Sequence, residues 1–313
     1  MSPRNGTGRD GGTPVGRADA RPGSRPVPGA AQRPDRHGEL RPGSRSDSRP
    51  ASHPGSRLFL TLLWLLFGLP LPVLALWAAA PGWAWPDLWP AVLGGRTAAF
   101  VLAHRQSIAG ALASSTVYSL AVVAVTLCAC LAPARLLAFG RFRGRAMLEG
   151  LLLAPALLPA MGFALGLYGT LVRLGLADTP AGVVLVLSVV SYPYMLRALA
   201  SGFETVGPDY GRCAANLGAG PLLRLLAVEL PLLLPAAVAG GSVVFLVAFS
   251  DYFLVQLVGG GVVASFTGYL FPVLQSPDRG LAAMLSLVFL VVPVTLFVLV
   301  EGLVLAVYRR RGM

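Results

Sequence analysis

Residues 213–235 read CAANLGAGPLLRLLAVELPLLLP, an apolar stretch broken by glycines and prolines between two long hydrophobic runs. A proline and an acidic residue precede it, which favours a short helix over Asp209–Leu217. Gly218 follows at the position where a left-handed helix cap is favoured. Pro221 then suits the first turn of a second helix, which Pro231 is expected to stop. The stretch therefore predicts a helix, a turn and a helix before the next hydrophobic run.

The second of these short helices, Leu222–Leu230, is unusually rich in leucine for a connecting segment. Arg224 and Glu229 are interleaved among its leucines, so the leucines cannot all face a bilayer surface. An apolar helix tip outside the membrane indicates a docking surface for another protein. The alternative is an interfacial helix that lies along the lipid headgroups.

The whole chain has the composition of an integral membrane protein. Of its 313 residues, 55% are hydrophobic and 12% are charged, against about 25% charged in soluble domains. A helix needs about 20 apolar residues to cross the bilayer. Six runs are long enough, which predicts an all-α membrane protein with six transmembrane helices. The runs are Leu58–Ala80, Ile108–Ala132, Gly150–Val172, Ala181–Leu199, Leu232–Val258 and Leu281–Tyr308.

The distribution of arginine predicts which side of the membrane each loop occupies. Arginines concentrate between the second and third runs, between the fourth and fifth runs, and at the C-terminus. Arginine in short loops favours the cytoplasm, so both termini are predicted to be cytoplasmic. Tryptophans, which favour the membrane interface, lie at the end of the first run and just after it, on the side predicted to be external. They are Trp77, Trp83, Trp85 and Trp89.

The predicted six-helix domain, residues 58–308, is flanked by two segments of different composition. Residues 1–57 are rich in Arg, Pro, Gly and Ser, which predicts a disordered cytoplasmic tail. Residues 309–313 form a basic cytoplasmic C-terminus. The net charge of +11 is explained by membrane topology, because the arginines cluster outside the hydrophobic runs. We therefore do not predict nucleic-acid binding.

No catalytic, cofactor-binding or metal-ligating residues are predicted. The three cysteines are interpreted as small apolar residues, and the histidines fall in the tail and one loop, where they cannot serve an intramembrane active site. The chain contains no His-Glu-x-x-His motif and no G-x-x-x-x-G-K-[ST] phosphate loop. These observations argue against an intramembrane enzyme, and any ATP hydrolysis would have to be performed by a separate protein.

The opening stretch resembles a known motif. Its spacing is similar to that of the cytoplasmic EAA loop of binding-protein-dependent ABC importer permeases. Gly218 is followed, after nine residues, by Val228-Glu229-Leu230-Pro231. The family's glutamate falls on Arg212 and its two alanines on Cys213 and Ala214, so the acidic position is not kept. The segments PALLPAMGFALGL (155–167) and AFSDYFLVQLVGGG (248–261) are similar to the branch that handles polyamines, ferric iron, thiamine and phosphonates.

The resemblance implies an ABC importer type I permease fold, multi-pass in a bacterial cell membrane. It also implies three partners: a separate ATP-binding cassette ATPase on the loop 203–231, a second permease subunit that is either a copy of this chain or a different one, and an extracytoplasmic solute-binding protein. No cofactor is implied. The predicted ATPase-coupling residues are Arg212, Cys213, Ala214, Gly218, Pro221, Leu222, Leu223, Leu226, Leu230 and Pro231.

A transport path is predicted at Asp251 and Tyr252, because Asp251 is the one acidic residue well inside the fifth run. An intramembrane carboxylate is by default a candidate functional group, and this one could line a cavity open to a delivered cation. The branch resemblance implies a small polar or cationic solute such as a polyamine. The alternative is that Asp251 caps or pairs locally. The competing function is an ion-gradient-driven secondary transporter, which would need coupling-ion carboxylates and commonly an internal repeat. The sequence shows few intramembrane charges and no repeat.

Overall fold

The computed structural model describes residues 54–80, 82–83 and 94–310, all within one compact unit that begins at Pro54. The described residues form helices and no β-strand. The predictions made for residues 1–53, for Trp85 and Trp89, and for residues 311–313 lie outside the described part of the chain.

Thirteen α-helices make up the described residues. The first seven are α1 (Pro54–Gly68), α2 (Pro70–Ala79), α3 (Arg96–Ala103), α4 (Arg105–Phe139), α5 (Arg145–Leu153), α6 (Ala160–Arg173) and α7 (Pro180–Val206). The remaining six are α8 (Asp209–Asn216), α9 (Pro221–Arg224), α10 (Leu230–Ser250), α11 (Phe253–Gly259), α12 (Phe266–Leu274) and α13 (Arg279–Arg310). A 3₁₀ turn, Ala154–Leu157, follows α5, and a π-helical turn, Leu225–Glu229, joins α9 to α10.

Five helical segments in the described part of the chain are long and apolar enough to cross a membrane. They are Phe59–Ala79, Arg105–Phe139, Pro180–Val206, Pro221–Ser250 and Arg279–Val304. A sixth candidate is the pair Arg145–Leu157 and Met161–Arg173, which is bent by 94°. The six predicted runs therefore correspond to five spans and one broken span, and the predicted all-α membrane class is confirmed.

The bend in the third run is explained by its prolines. The backbone of Leu158 is extended, with ψ of 137°, and Pro159 precedes the first residue of α6. A residue before proline is pushed out of the α region because the proline ring crowds it. The run Gly150–Val172 therefore folds as two helical segments and not as one straight helix.

The core of the bundle is built by α4, α7 and α10. Buried side chains such as Val122, Leu199 and Val244 fill the space between the three helices. Glycines on α7 and α10 let the two backbones approach closely: a Cβ added at Gly240 would lie 2.7 Å from the Cβ of Ala198. Such small-residue contacts are typical of helix packing in membranes, where close backbone approach provides van der Waals attraction.

The fifth run differs from its prediction at both ends. Pro231 does not stop a short helix, because Pro221–Ser250 is helical throughout. The π-helical turn explains this: the Leu230 N–H bonds to the Leu225 carbonyl, five residues back, and the wider turn accommodates the proline that follows. At the other end the helix stops at Ser250 instead of continuing to Val258. The short helices α3 and α12 were not predicted.

Candidate functional site

The connector, defined here as residues 207–229, links α7 to α10. Gly207 turns the chain with φ of 76°, and α8 then begins with Asp209 in its first turn, where a negative charge favours the helix dipole. The helix ends in a left-handed turn at Gly218, with φ of 87°. The Ala219 N–H bonds to the Ala214 carbonyl and closes this turn. The predicted first helix and its glycine cap are therefore confirmed.

Three exposed leucines, Leu222, Leu223 and Leu226, form an apolar projection that we call the leucine knob. Their residue surfaces are 68%, 60% and 52% exposed. Pro221 at the start of α9 is also exposed, whereas Leu230 and Pro231 are half-buried where the connector joins α10. The knob is thus presented at the end of a helix that continues into the bundle.

The three residues aligned with the EAA positions lie on α8. The Arg212 side chain is exposed and lies 3.3 Å from the carboxylate of Asp209, itself exposed. Cys213 is exposed and Ala214 half-buried. An ion pair between two exposed side chains contributes little to stability. This ion pair therefore restrains the Arg212 side chain only weakly.

A buried carboxylate lies behind this surface. Glu229 is 6% exposed, and its Oε2 lies 2.9 Å from Nε of Arg135 on α4. Its Oε1 lies 3.3 Å from Nε of Arg224 in α9. Neither contact has hydrogen-bond geometry, so the attraction is electrostatic. Sequence reasoning identified Arg135 only as a loop charge and Glu229 only as an interruption of the leucines, because spacing does not reveal which distant charges meet.

The predicted pathway residues lie at a helix break and not inside a helix. The backbone of Asp251 is extended, with ψ of 116°, and separates α10 from α11. Its Oδ1 accepts a hydrogen bond from the Leu254 N–H at 2.8 Å, so Asp251 caps α11. Tyr252 stacks on Phe271 of α12 at 4.1 Å between ring centroids. Both residues are half-buried, and the local capping that the sequence left as an alternative is what the geometry shows.

Metal-binding chemistry has no candidate among the residues that the structure describes: no group of three or more His, Cys, Asp or Glu side chains could hold an ion.

Comparison with known proteins places this geometry in context. Residues 131–311 match the protein family described as "Binding-protein-dependent transport system inner membrane component". The chain is 34% identical over 146 residues to the "Molybdenum transport system permease protein ModB" of Mycobacterium tuberculosis, covering 42% of this chain and 55% of that protein. It is 29% identical over 134 residues to the "Sulfate transport system permease protein CysT" of Salmonella typhimurium, covering 39% and 48%. The chain thus spans about half the length of these relatives.

The fold is also similar to a solved structure of a bacterial ABC transporter "involved in the import of the acidic polysaccharide alginate". The TM-score is 0.59, and the match covers 81% of this chain and 99% of the other. Because the two sequences are 16% identical, this similarity shows the fold alone.

Proposed function

This chain belongs to the binding-protein-dependent transport system inner membrane components, and from that membership we propose that it is the solute-translocating permease subunit of an ATP-driven ABC importer. The ATPase is a separate subunit in this proposal. A second permease, identical or different, completes the path, and an extracytoplasmic solute-binding protein delivers the solute. The connector is the cytoplasmic docking site of the ATPase.

One observation carries the proposal: the connector presents an apolar knob on a helix that runs without interruption into the bundle. Leu222 and Leu226 are more than half exposed, and the helix that bears them extends from Pro221 to Ser250. Exposed apolar patches of this kind mark protein contacts. A rigid helix carries motion from that contact into the membrane, because helices move as packed units.

The docking proposal is tested by co-purification. The full chain, tagged at its C-terminus, is extracted from native membranes in mild detergent, and its stoichiometric partners are identified by mass spectrometry. An ATP-binding cassette subunit is expected with the wild-type chain and not with the double variant Leu222→Arg, Leu226→Arg. The matched control is Met147→Arg, because Met147 is also highly exposed but lies on α5, outside the connector. Recovery of the ATPase with the double variant would contradict docking on the knob.

The transported solute is proposed to be small and polar or cationic, of the polyamine type. The resemblance of residues 155–167 and 248–261 to the branch that handles polyamines supports this proposal. The half-buried carboxylate of Asp251 is the group proposed to attract the cation. The two relatives named above are described as molybdenum and sulfate permeases. Uptake of spermidine, molybdate and sulfate into cells with and without the chain therefore separates the classes. Uptake of either oxyanion without spermidine uptake would overturn the cationic assignment.

Energy coupling separates the proposal from its competitor, an ion-gradient-driven carrier. If the chain is an ABC permease, ATP depletion stops uptake while dissipation of the proton gradient at constant ATP does not. The opposite pattern would identify a secondary transporter.

A further inference from the structure

The buried carboxylate of Glu229 brings together three parts of the molecule. Arg135 belongs to the end of α4, Arg224 to α9, and Glu229 itself to the π-helical turn that leads into α10. The side chains of Arg135 and Arg224 are 36% and 20% exposed. Two guanidinium groups thus flank one carboxylate, and each lies close to a different carboxylate oxygen.

The helix α8 leaves space for this arrangement at Gly211. A Cβ added to Gly211 would lie 2.8 Å from Glu229 Oε1 and 3.5 Å from Cδ of Arg224. Gly211 is buried, whereas its neighbour Arg212 is exposed. The part of α8 that faces Glu229 therefore has no side chain, and the carboxylate packs directly against the helix backbone. Gly211 is next to Arg212, the position aligned with the family's glutamate. Its missing side chain leaves room for the carboxylate of Glu229.

An open groove of about 720 Å³, lined in part by Arg135, lies between the end of α4 and α9. Leu131, Arg135 and Phe139 line it on α4, and Pro221, Leu222 and Leu225 line it on the connector. Arg135, on the wall of this groove, contacts Glu229 in the π-helical turn, and this contact ties α4 to the connector. Removal of one of these charges is costly because the other is left poorly solvated and less well compensated.

We infer that Glu229 and Arg135 are positioning residues that fix α4 to the connector, so that a displacement of the leucine knob moves α4 together with α10. This inference rests on the proposed docking of an ATPase at the knob. It adds a second route for motion into the membrane: one runs along the continuous helix Pro221–Ser250, and the other passes through the ion pair into α4. In the same scheme the Arg224–Glu229 contact stays inside the connector and orients the carboxylate toward α4.

The two arginines provide a matched pair of variants for the test. Arg135→Met removes the tie to α4 and leaves Arg224 beside the carboxylate, whereas Arg224→Met removes the contact inside the connector and leaves the tie. Arg135→Lys keeps the charge at α4 and tests rescue. Glu229→Gln removes the carboxylate charge with almost no change in volume. It therefore provides a second way to remove the attraction to Arg135 if Arg135→Met folds poorly.

The measurement is a distance between α8 and α4 by pulsed electron paramagnetic resonance in the full chain in lipid nanodiscs. One spin label is attached at Asn216→Cys on α8 and the other at Leu136→Cys on α4, both at exposed positions. Cys128→Ser and Cys213→Ser remove the two exposed native cysteines. Distances are recorded for the chain alone and for its ATPase complex, with and without ATP and vanadate.

A single narrow distance, unchanged by nucleotide, is expected for the parent, for Arg135→Lys and for Arg224→Met. For Arg135→Met and Glu229→Gln we expect a broader distribution of the α8–α4 distance. Vanadate trapping should shift the mean of this distribution, because α8 then moves without α4. A narrow, nucleotide-independent distance in Arg135→Met and Glu229→Gln would overturn the inference. If the wild-type chain retains no ATPase, the docking proposal fails, while the distances in the chain alone still decide whether the tie exists.

Discussion

Arg135 at the end of α4 lies 2.9 Å from Glu229, a residue near the end of the connector that is otherwise shielded from solvent. The pair joins two segments that are far apart in sequence. Removal of one partner leaves the other charge poorly solvated, which is generally more costly than loss of the pair as a whole.

The substitution Arg135→Ala is therefore expected to lower the free energy of unfolding by about 2 kcal/mol. Fully buried pairs lose about 3–5 kcal/mol on removal of one partner, and the partial exposure of Arg135 reduces the cost. Thermal unfolding in detergent measures the change. The triple variant Arg135→Leu, Arg224→Leu, Glu229→Leu should recover part of the loss, because it removes all three charges of the cluster and leaves none unpaired. A triple variant less stable than Arg135→Ala would contradict this account.

Gly218→Leu is expected to abolish uptake while the protein remains in the membrane. The left-handed backbone of Gly218, with φ of 87°, costs a non-glycine residue roughly 1–2 kcal/mol, which shifts α9 relative to α8 and misplaces the knob. Uptake of the transported solute and the amount of membrane-inserted chain are both measured. Gly220→Leu is the matched control, because Gly220 has φ of −64° and open space around it. Similar loss of uptake in both variants would show that the turn conformation is not the cause.

Gly240→Leu is expected to prevent close packing of α10 on α7. The added side chain would meet Ala198 and the sulfur of Met195, and overpacking of this kind costs about 1–3 kcal/mol. A lower melting temperature in detergent, and less chain in the membrane, are the expected results. Gly110→Leu is the control, since Gly110 lies on α4 with no neighbouring atoms near its Cβ direction. Equal stability of the two variants would contradict the packing explanation.

Two substitutions separate the cap from the charge at Asp251. Asn also caps helices, so Asp251→Asn is expected to preserve stability, whereas Asp251→Ala should cost about 1 kcal/mol through loss of the bond to the Leu254 N–H. If the charge attracts a cationic solute, both variants reduce uptake. Wild-type uptake by Asp251→Asn would remove the carboxylate from the path and leave it as a helix cap.

The predicted orientation is tested by labelling with a membrane-impermeant maleimide. Cys213 on α8 is exposed and is expected to react in inside-out vesicles and not in intact spheroplasts, because arginine-rich loops favour the cytoplasm. Val262→Cys, in the exposed turn between α11 and α12, should show the opposite pattern in a chain that lacks Cys128 and Cys213. Reaction of Cys213 from the outside would reverse the predicted topology.

The sequence was sufficient to predict the membrane spans, α8 and the turn at Gly218, because each depends on local features. The spans follow from the length of the apolar runs, α8 from an acidic residue in its first turn, and the turn from its glycine. It was misleading at Pro231, where a proline normally stops a helix. The π-helical turn that absorbs Pro231 depends on how the connector packs. The sequence likewise suggested a helix through Asp251, whereas the carboxylate instead caps the helix that follows.

The ion pair of Glu229 illustrates the limit of sequence reasoning most directly. The sequence places Arg135 and Glu229 in different loops and offers other arginines as equally plausible partners. Only the packing of α4 against α10 determines which of them reaches the carboxylate. Pairings between distant charges follow from the assembled bundle and cannot be read from local spacing.

The continuity of the helix Pro221–Ser250 has a consequence for the natural variation of this chain. Each residue of an α-helix advances the side chains by about 100° around the axis. A one-residue insertion or deletion between the knob and the bundle would therefore swing Leu222 and Leu226 toward a different side of the molecule. Insertions or deletions of about a whole number of helical turns would be tolerated far better. The number of residues in this helix therefore sets the side of the molecule on which Leu222 and Leu226 are presented.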